Sequence, residues 1–483
     1  MRVRVLFTHS YHLRLDPKQW RAAKPYPPLG TLIALAAARA RGHEVALHDA
    51  QFASSASDLR APLERFRPDV LVIYDDDFNW LTKMCLSVME TQALAMIDLG
   101  RERGCRVVVH GSDASDHRAR FLDAGADAVL LGDGELTLLE LLDAFERGRP
   151  VDAIRGLAWS DGDRARDSGR RPTPPDLDVL PSPAWDALDL APYASMWRGR
   201  HGLFSLNLVS SRGCPYGCNW CAKPLFGRQY FVHSPARLAD EIARVRALGA
   251  GHVWFGDDIF GLTAEWAGGL AEAVLARGVR TPFMAQTRAD LMVKDELRRG
   301  LVRAGLHTAW LGAESGSQKI LDAMDKGLRV EETREAVAKL RADGVRVGLF
   351  LQYGYLGETR ADIDLTLRLL DDALPDEIGV SVSYPLPGTP FFEQVKAQLG
   401  PKTNWTDSDD LDLLRPGRYS AADYRLVHHY THMRFRARHG LRQARALLRR
   451  PWRASRASLR GALGSAYFVP AAALDALRMR RLA

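Results

Sequence analysis

The sequence predicts an α/β protein made of two parallel-sheet units in series, followed by a helical region. Three features support this. Short apolar runs alternate with helical stretches in two separate parts of the chain, a Pro-, Asp- and Arg-rich stretch divides those parts, and polar or glycine-rich residues follow directly after the apolar runs. At 483 residues the chain exceeds one ordinary core, and 46% hydrophobic with 26% charged residues is the composition of a folded globular protein rather than a fibre or a disordered chain. No apolar run approaches the roughly 20 residues needed to cross a bilayer. The opening MRVRVLF alternates like a strand rather than reading as a signal peptide, which predicts a cytoplasmic location.

In residues 1–145 the runs Val3 to Phe7, Val45 to Leu47, Val70 to Tyr74, Val107 to Val109 and Ala128 to Leu131 predict five strands of a Rossmann-like (flavodoxin-like) sheet with helices on both faces. Asp75-Asp76-Asp77, His110-Gly111-Ser112-Asp113 and Gly132-Asp133-Gly134-Glu135 follow three of them, at the strand ends where ligands sit in open α/β sheets. Residues 146–202, with Arg171-Pro172-Thr173-Pro174-Pro175 and Leu180-Pro181-Ser182-Pro183, predict a linker wrapped along both neighbours. Residues 203–400 hold six candidate strands: Phe204 to Val209, His252 to Phe255, Pro282 to Ala285, His307 to Leu311, Val345 to Leu351 and Ile378 to Val382. With helical patterns at Pro235 to Leu248, Glu331 to Ala342 and Ala361 to Leu374 they predict a partial (β/α)6 TIM-type barrel, whose chemistry belongs at the carboxyl ends of its strands. Residues 401–483 predict a helical, arginine-rich region.

Of five cysteines, three lie between Cys214 and Cys221, which excludes a disulfide framework and favours metal or cluster binding; Cys85 and Cys105 read as buried thiols. The stretch Ser211-Arg212-Gly213-Cys214-Pro215-Tyr216-Gly217-Cys218-Asn219-Trp220-Cys221 follows the first barrel strand. Three thiolates can hold three irons of a cubane, whereas a fully protein-held 4Fe-4S cluster takes four cysteines, so one iron is left open. The competing reading, a structural zinc site, wants a fourth Cys or His at close spacing, and none occurs.

CxxxCxxC with an aromatic residue, Trp220, before the last cysteine resembles the radical S-adenosylmethionine (SAM) superfamily. That resemblance implies that Cys214, Cys218 and Cys221 hold a 4Fe-4S cluster whose open iron binds the amino and carboxylate groups of SAM, and that an electron donor such as flavodoxin or ferredoxin drives its cleavage to a 5′-deoxyadenosyl radical. It also implies that Gly256 and Asp257, with Asp258 beside them, hold the SAM amino group. The usual Gly-Gly-Glu is here Gly-Asp-Asp. Glu314 matches the acidic residue on the amino-acid or ribose part of SAM. Arg288, in Gln286-Thr287-Arg288, is expected to pair with the SAM carboxylate, and the backbone up to Leu351 to pass beside adenine.

Tyr26-Pro27-Pro28-Leu29-Gly30, Gly111-Ser112-Asp113 and Gly132-Asp133-Gly134-Glu135 resemble the cobalamin-binding domain that precedes the barrel in one radical SAM group, which includes carbon and phosphorus methyltransferases and the anaerobic magnesium-protoporphyrin ester cyclase. The resemblance implies that Pro28, Leu29, Gly30, Gly111, Ser112, Gly132, Gly134 and Glu135 contact cobalamin. No Asp-x-His-x-x-Gly occurs, so the corrinoid is expected to have no histidine ligand. The reaction implied is modification of an unactivated carbon, by methylation or by oxidative cyclisation or rearrangement, on a small-molecule, lipid or tetrapyrrole-like substrate. A non-catalytic metal-bound scaffold, or an adaptor on membrane or RNA, is the reading from a different class.

Thr431 to Ala483 carry thirteen arginines, no lysine and one acid, Asp475, in a chain of net charge +7. Arg434, Arg438, Arg442, Arg445 and Arg449 recur at helical spacing among Leu441, Leu447, Leu448, Trp452 and Leu459, a pattern that suits an anionic membrane surface. Few aromatic residues for stacking on bases accompany them, which disfavours nucleic acid.

Overall fold

The computed structural model describes residues 2–162, 164–221, 227–449, 451–453 and 455–482, with only the backbone at Trp80, Arg453, Arg456 and Ala457. The first sheet consists of β1 (Arg4–Thr8), β2 (Glu44–Leu47), β3 (Val70–Tyr74), β4 (Arg106–His110), β5 (Ala128–Leu130), β6 (Leu157–Asp161) and β7 (Arg164–Asp167), in the order β2-β1-β3-β4-β5-β6-β7. The first five strands are parallel. Val70-Leu71-Val72-Ile73-Tyr74 is buried throughout, as expected of a central strand covered on both faces. The strand order reverses between β1 and β3, so the loops after them, His9 to His12 and Asp75 to Asn79, flank the switch point where such sheets take ligands.

Residues 157–167, inside the expected linker, form a hairpin: β6 pairs antiparallel with β5, and β7 with β6. Leu157 and Ala158 are buried and Trp159 packs beside them, a run of three with no alternation, and the residues that follow are mostly polar and give no strand periodicity.

The second sheet is built from β8 (Ser205–Leu208), β11 (His252–Phe255), β12 (Phe283–Thr287), β13 (Leu306–Glu314), β14 (Arg346–Tyr353) and β15 (Glu377–Val382), all parallel and each beside its sequential neighbour. Between β8 and β11, the two-residue strands β9 (Ser211–Arg212) and β10 (Phe231–Val232) pair antiparallel. The sheet is the expected six-stranded partial barrel. Three strands run further at their carboxyl ends than expected: Gln286 and Thr287 belong to β12, Gln352 and Tyr353 to β14, and β13 continues to Glu314 through a register shift against β14 between Gly312 and Glu314. Pairing with a neighbour carries these polar residues into strands that hydrophobic periodicity alone ends early.

One apolar cluster runs from the barrel into the first unit, joining Phe255, Leu311 and Leu349 to Tyr11, Leu13 and Leu29 and to Trp197. A later segment closes the junction. Trp405, fully buried, donates its backbone N–H to the Cys85 carbonyl (3.1 Å), accepts from Ser87 (2.7 Å), and lies edge-on to Tyr384.

The helices Ala421–Arg449 and Arg456–Met479 form a hairpin on the barrel. The arginines of the first of these do not all face outward. Arg434 and Arg438 both pair with Asp371, and Arg442 donates to the Leu374 carbonyl, so this face grips the Arg360–Ala373 helix, while Arg445 and Arg449 stay exposed. Among the described residues no helix is long and apolar enough to cross a membrane.

Truncating Trp405 removes a fully buried indole that connects the two units. Trp405→Ala should cost about 3–5 kcal/mol, read as a lowered denaturation midpoint in a thermal or urea melt of the whole chain.

Candidate active site

The three cysteines lie on a loop tied down at both ends. At its start, Asp257 beyond β11 accepts the Ser210 backbone N–H (3.0 Å), the Ser210 hydroxyl (2.6 Å) and the Ser211 hydroxyl (2.5 Å). Burial pushes the Asp257 pKa up to about 6, and these hydrogen bonds restrain the rise. At its far end the Asn219 side chain donates to the Ala323 carbonyl and to Asp325 (both 2.9 Å) and accepts from the Tyr355 hydroxyl (2.7 Å). Its backbone bonds Met324 and Phe391. Tyr355 stacks on Phe391 (4.9 Å), and Trp220 packs against that cluster with its indole N–H unpartnered.

Cys214 and Cys218 are buried and Cys221 half-buried, and none is in a disulfide. Cations surround them. Arg288 Nη1 lies 4.0 Å from Cys218 Sγ, and its guanidinium stacks over the Tyr216 ring at 3.8 Å. Burial lowers the Lys326 pKa, but Glu314 and Cys218 outweigh it and hold the ammonium charged; Asp258 and Cys221 do the same for Lys83. Three thiols outside any disulfide, among three buried cations, suit an anionic iron-sulfur cluster, since buried charge persists only when compensated. Cys85, by contrast, is fully buried beside Asp113 and His117, and burial followed by the Asp113 charge keeps it a neutral thiol.

The expected SAM residues gather around this loop, where Arg288, Asp257 and Asp258 each make contacts within the protein. Arg288 spends its donors on Asp290, on the carbonyls of Lys326 (2.9 Å) and Gly327 (3.0 Å), and toward Cys218, so it braces the cysteine loop rather than offering a free fork to a carboxylate. Asp257 is occupied by Ser210 and Ser211. Asp258 pairs with Lys83, which comes from the first unit. A Cβ on Gly256 would meet the Tyr26 hydroxyl at 2.5 Å, so glycine there lets the first unit approach the barrel.

Glu314 stands in the left-handed region (φ 57°), a strained backbone for a non-glycine residue, and its carboxylate meets Lys326 Nζ at 2.9 Å. Leu351 pairs with it across the strands and is buried. Gln286 is half-buried on β12, and the neighbouring Thr287 hydroxyl is buried with no partner. A hydroxyl and a left-handed carboxylate at adjacent strand ends can receive a polar group that carries an ammonium, such as the amino group of SAM.

The loops of the first unit complete the opposite wall. Arg212, two residues before Cys214, donates Nη2 to Glu135 Oε1 (2.6 Å) and Nη1 to Glu135 Oε2 (3.0 Å) and Asp133 Oδ1 (2.8 Å), with all three side chains buried. Burial alone would raise the Glu135 pKa; the Arg212 charge and hydrogen bonds prevail and lower it. Glu135 is therefore a fastener between the two units.

Gly30, Gly132, Gly134 and Glu135 line a cleft of about 200 Å³ together with Tyr74, His110 and Arg212. Pro28 lines a second cleft of about 250 Å³ with Tyr11, Tyr26 and Gln51, and the loop Asp75 to Asn79 contributes to both. Leu29 is in the shared core, the Gly30 N–H meets Asp76 (3.2 Å), Gly111 caps the helix Ser112–Asp116, and the Ser112 hydroxyl bonds the Lys83 carbonyl (3.2 Å).

The sequence offered no signal for Lys83 or Lys326. Arg212, Asp133 and Glu135 were visible as motif members, but nothing local says that residues 77 positions apart meet.

Residues 208–370 match the Radical SAM superfamily model. The chain is 27% identical over 393 residues to an uncharacterised methyltransferase of Pyrococcus horikoshii, covering 80% of this chain and 82% of that protein. It is 28% identical over 385 residues to the hopanoid C-3 methylase of Methylococcus capsulatus (77% and 69% covered). With the anaerobic magnesium-protoporphyrin IX monomethyl ester cyclase of Cereibacter sphaeroides it shares 29% identity over 281 residues (56% and 45% covered). Among solved structures, the radical SAM methyltransferase TsrM of Kitasatospora setae, with cobalamin and a [4Fe-4S] cluster bound, superposes with a TM-score of 0.68 at 18% identity, covering 83% of this chain and 76% of that one. The cobalamin-dependent radical enzyme OxsB, with aqua-cobalamin bound, does so at 0.70 and 16% identity (92% and 68% covered). The shared fold extends through both sheets.

After anaerobic reconstitution, Cys214→Ala, Cys218→Ala or Cys221→Ala should abolish the broad visible absorption of a 4Fe-4S cluster, and Cys85→Ala should leave it intact. Asn219→Ala should retain less iron and sulfide than the wild type, because unmaking a buried amide network costs about 1–3 kcal/mol at the loop that presents the thiols.

Proposed function

We propose that this chain, a radical SAM enzyme by its residues 208–370, is a cobalamin-dependent methyltransferase acting on an unactivated carbon. One observation carries the reading: the Arg212 guanidinium is bound by Asp133 and Glu135, so the cysteine loop and the corrinoid-type loops share a wall. Relatives named as methyltransferases, and two proteins of the same fold described with cobalamin bound, support it.

When bound, the reduced cluster supplies the electron that cleaves SAM, and the corrinoid supplies a carrier for the methyl group. The residues of this chain bind and orient. Cys214, Cys218 and Cys221 would ligate three irons, leaving the fourth for SAM. Lys326, rather than the fully engaged Arg288, would hold the SAM carboxylate, with Glu314 and the unpartnered Thr287 hydroxyl receiving its amino or ribose groups. Leu351 and Trp220 would give apolar walls that exclude water.

On the opposite side, the buried Tyr11 and Tyr26 hydroxyls, with the unpartnered Gln51 amide N–H, Asp77 Oδ1 and Asp133 Oδ2, are a donor and acceptor set suited to the amide-fringed edge of a corrinoid. The Asp75 to Asn79 loop lies against both clefts and would form part of the wall that faces the corrinoid. A flavodoxin or ferredoxin would supply electrons. The substrate would be a small molecule, with lipids and tetrapyrroles among the candidates. Similarity to the ester cyclase favours oxidative cyclisation as a second reading.

A methylation turnover consumes two SAM, one giving S-adenosylhomocysteine and the other 5′-deoxyadenosine. Chromatography of the products should show equal amounts of both; 5′-deoxyadenosine without stoichiometric S-adenosylhomocysteine would support cyclisation instead. Glu314→Gln should weaken SAM binding by roughly tenfold, the effect of one lost charge-assisted hydrogen bond, and leave the cluster absorption unchanged. Protein made with ample cobalamin and purified with none would overturn the cobalamin assignment.

A further inference from the structure

Large hydrophobic side chains left exposed are concentrated in one place. Of fifteen among the described residues, nine lie between Leu441 and Leu477. On the helix Arg456–Met479 they fall in register: Leu459, Leu463, Tyr467, Leu474 and Leu477 are separated by three, four or seven residues, which stacks them along one face. Leu463 is 76% and Tyr467 65% exposed.

The stripe is not the packing face of the hairpin, which lies on the other side of the helix. There a Cβ on Gly440 would meet the Gly461 carbonyl at 2.7 Å, Asp475 bonds His429 (2.7 Å), and buried Met479 offers its carbonyl to Arg360. At the hairpin turn Leu448 and Trp452 are 85% and 76% exposed.

The charge around the stripe has one sign. Arg460, Arg478, Arg480 and Arg481 are exposed beside it, and Asp475, the one acid between Thr431 and Ala483, is buried and paired with His429 and Arg478. Arg434 and Arg438 are satisfied by Asp371, so the free positive charge lies on the outer helix and the turn.

An occupant of this face must bring both apolar depth and negative charge. A second copy would set Arg460 and Arg478 against their own equivalents with no acid between them. Nucleic acid would match the charge, which it meets through its phosphates, but would leave the leucines of the stripe without an apolar partner. A bilayer carrying anionic headgroups meets both demands: Leu and Tyr enter the acyl boundary while arginines remain among the phosphates. We infer that the outward stripe of the Arg456–Met479 helix docks this protein on an anionic membrane surface, with Leu448 and Trp452 entering at the turn. The inference is independent of the corrinoid reading.

The test uses the full chain with its cluster reconstituted, co-sedimented with vesicles of mixed phosphatidylcholine and phosphatidylglycerol. Binding should be present at low salt, fall as salt is raised, and be weak on phosphatidylcholine alone. Leu463→Asp combined with Tyr467→Asp should weaken it by roughly tenfold or more. Both side chains are exposed and outside the core, so the melt and cluster absorption should not change. Leu275→Asp, an exposed leucine on the Ala264–Ala276 helix, should bind like the wild type. Equal binding by the double variant, equal binding to uncharged vesicles, or a wild-type dimer that the double variant disperses would overturn the inference.

Discussion

A guanidinium removed from water two positions before the first cysteine is the constraint on which the site depends. Desolvating Arg212, Asp133 and Glu135 costs several kcal/mol per ion, and such a group persists only with near-ideal geometry. Here the geometry is a bidentate fork on Glu135 plus a third bond to Asp133. Its consequence is mechanical. The residues that end the first sheet and the residues that begin the cysteine loop cannot move independently, and the Tyr26 hydroxyl over Gly256 and the Lys83–Asp258 pair fasten the same seam.

The cysteine loop also shows how one sequence serves both shape and charge. Asn219 and Asp257 place the thiols by hydrogen bonds, and Arg288, Lys326 and Lys83 provide the positive field. Arg288 does both, bracing two backbone carbonyls while its guanidinium faces Cys218. Lys83 reaches the same loop from the first unit, so the electrostatics of the barrel mouth are completed by a residue outside the barrel. Glu314 adds local strain, a left-handed carboxylate at a register shift, of the kind stored where a ligand is gripped.

Much of this was legible in the sequence because it is local. β3 and β11 fall where their apolar runs end, and the three cysteines declare themselves by spacing. What stayed hidden is non-local. The hairpin at 157–167 has too few apolar residues to show a period. Arg288 lies in a motif that suggests a ligand contact, but only the packed structure shows its donors already used. The arginines of the tail read as one cationic face, yet Asp371, some sixty residues away, takes up two of them and leaves the apolar stripe of the following helix as the exposed feature.

The claim that the first unit and the cysteine loop act as one body is tested most directly by a double-mutant cycle between Arg212→Met and Glu135→Gln, read by the melting midpoint and by the electron paramagnetic resonance spectrum of the reduced cluster. Arg212→Met should cost about 3–5 kcal/mol by stranding two buried carboxylates, Glu135→Gln should cost less because Asp133 still pairs with Arg212, and the double variant should cost less than the sum. Glu135→Gln should also alter the cluster spectrum, although Glu135 lies in the other unit. Additive losses with an unchanged spectrum would contradict the account.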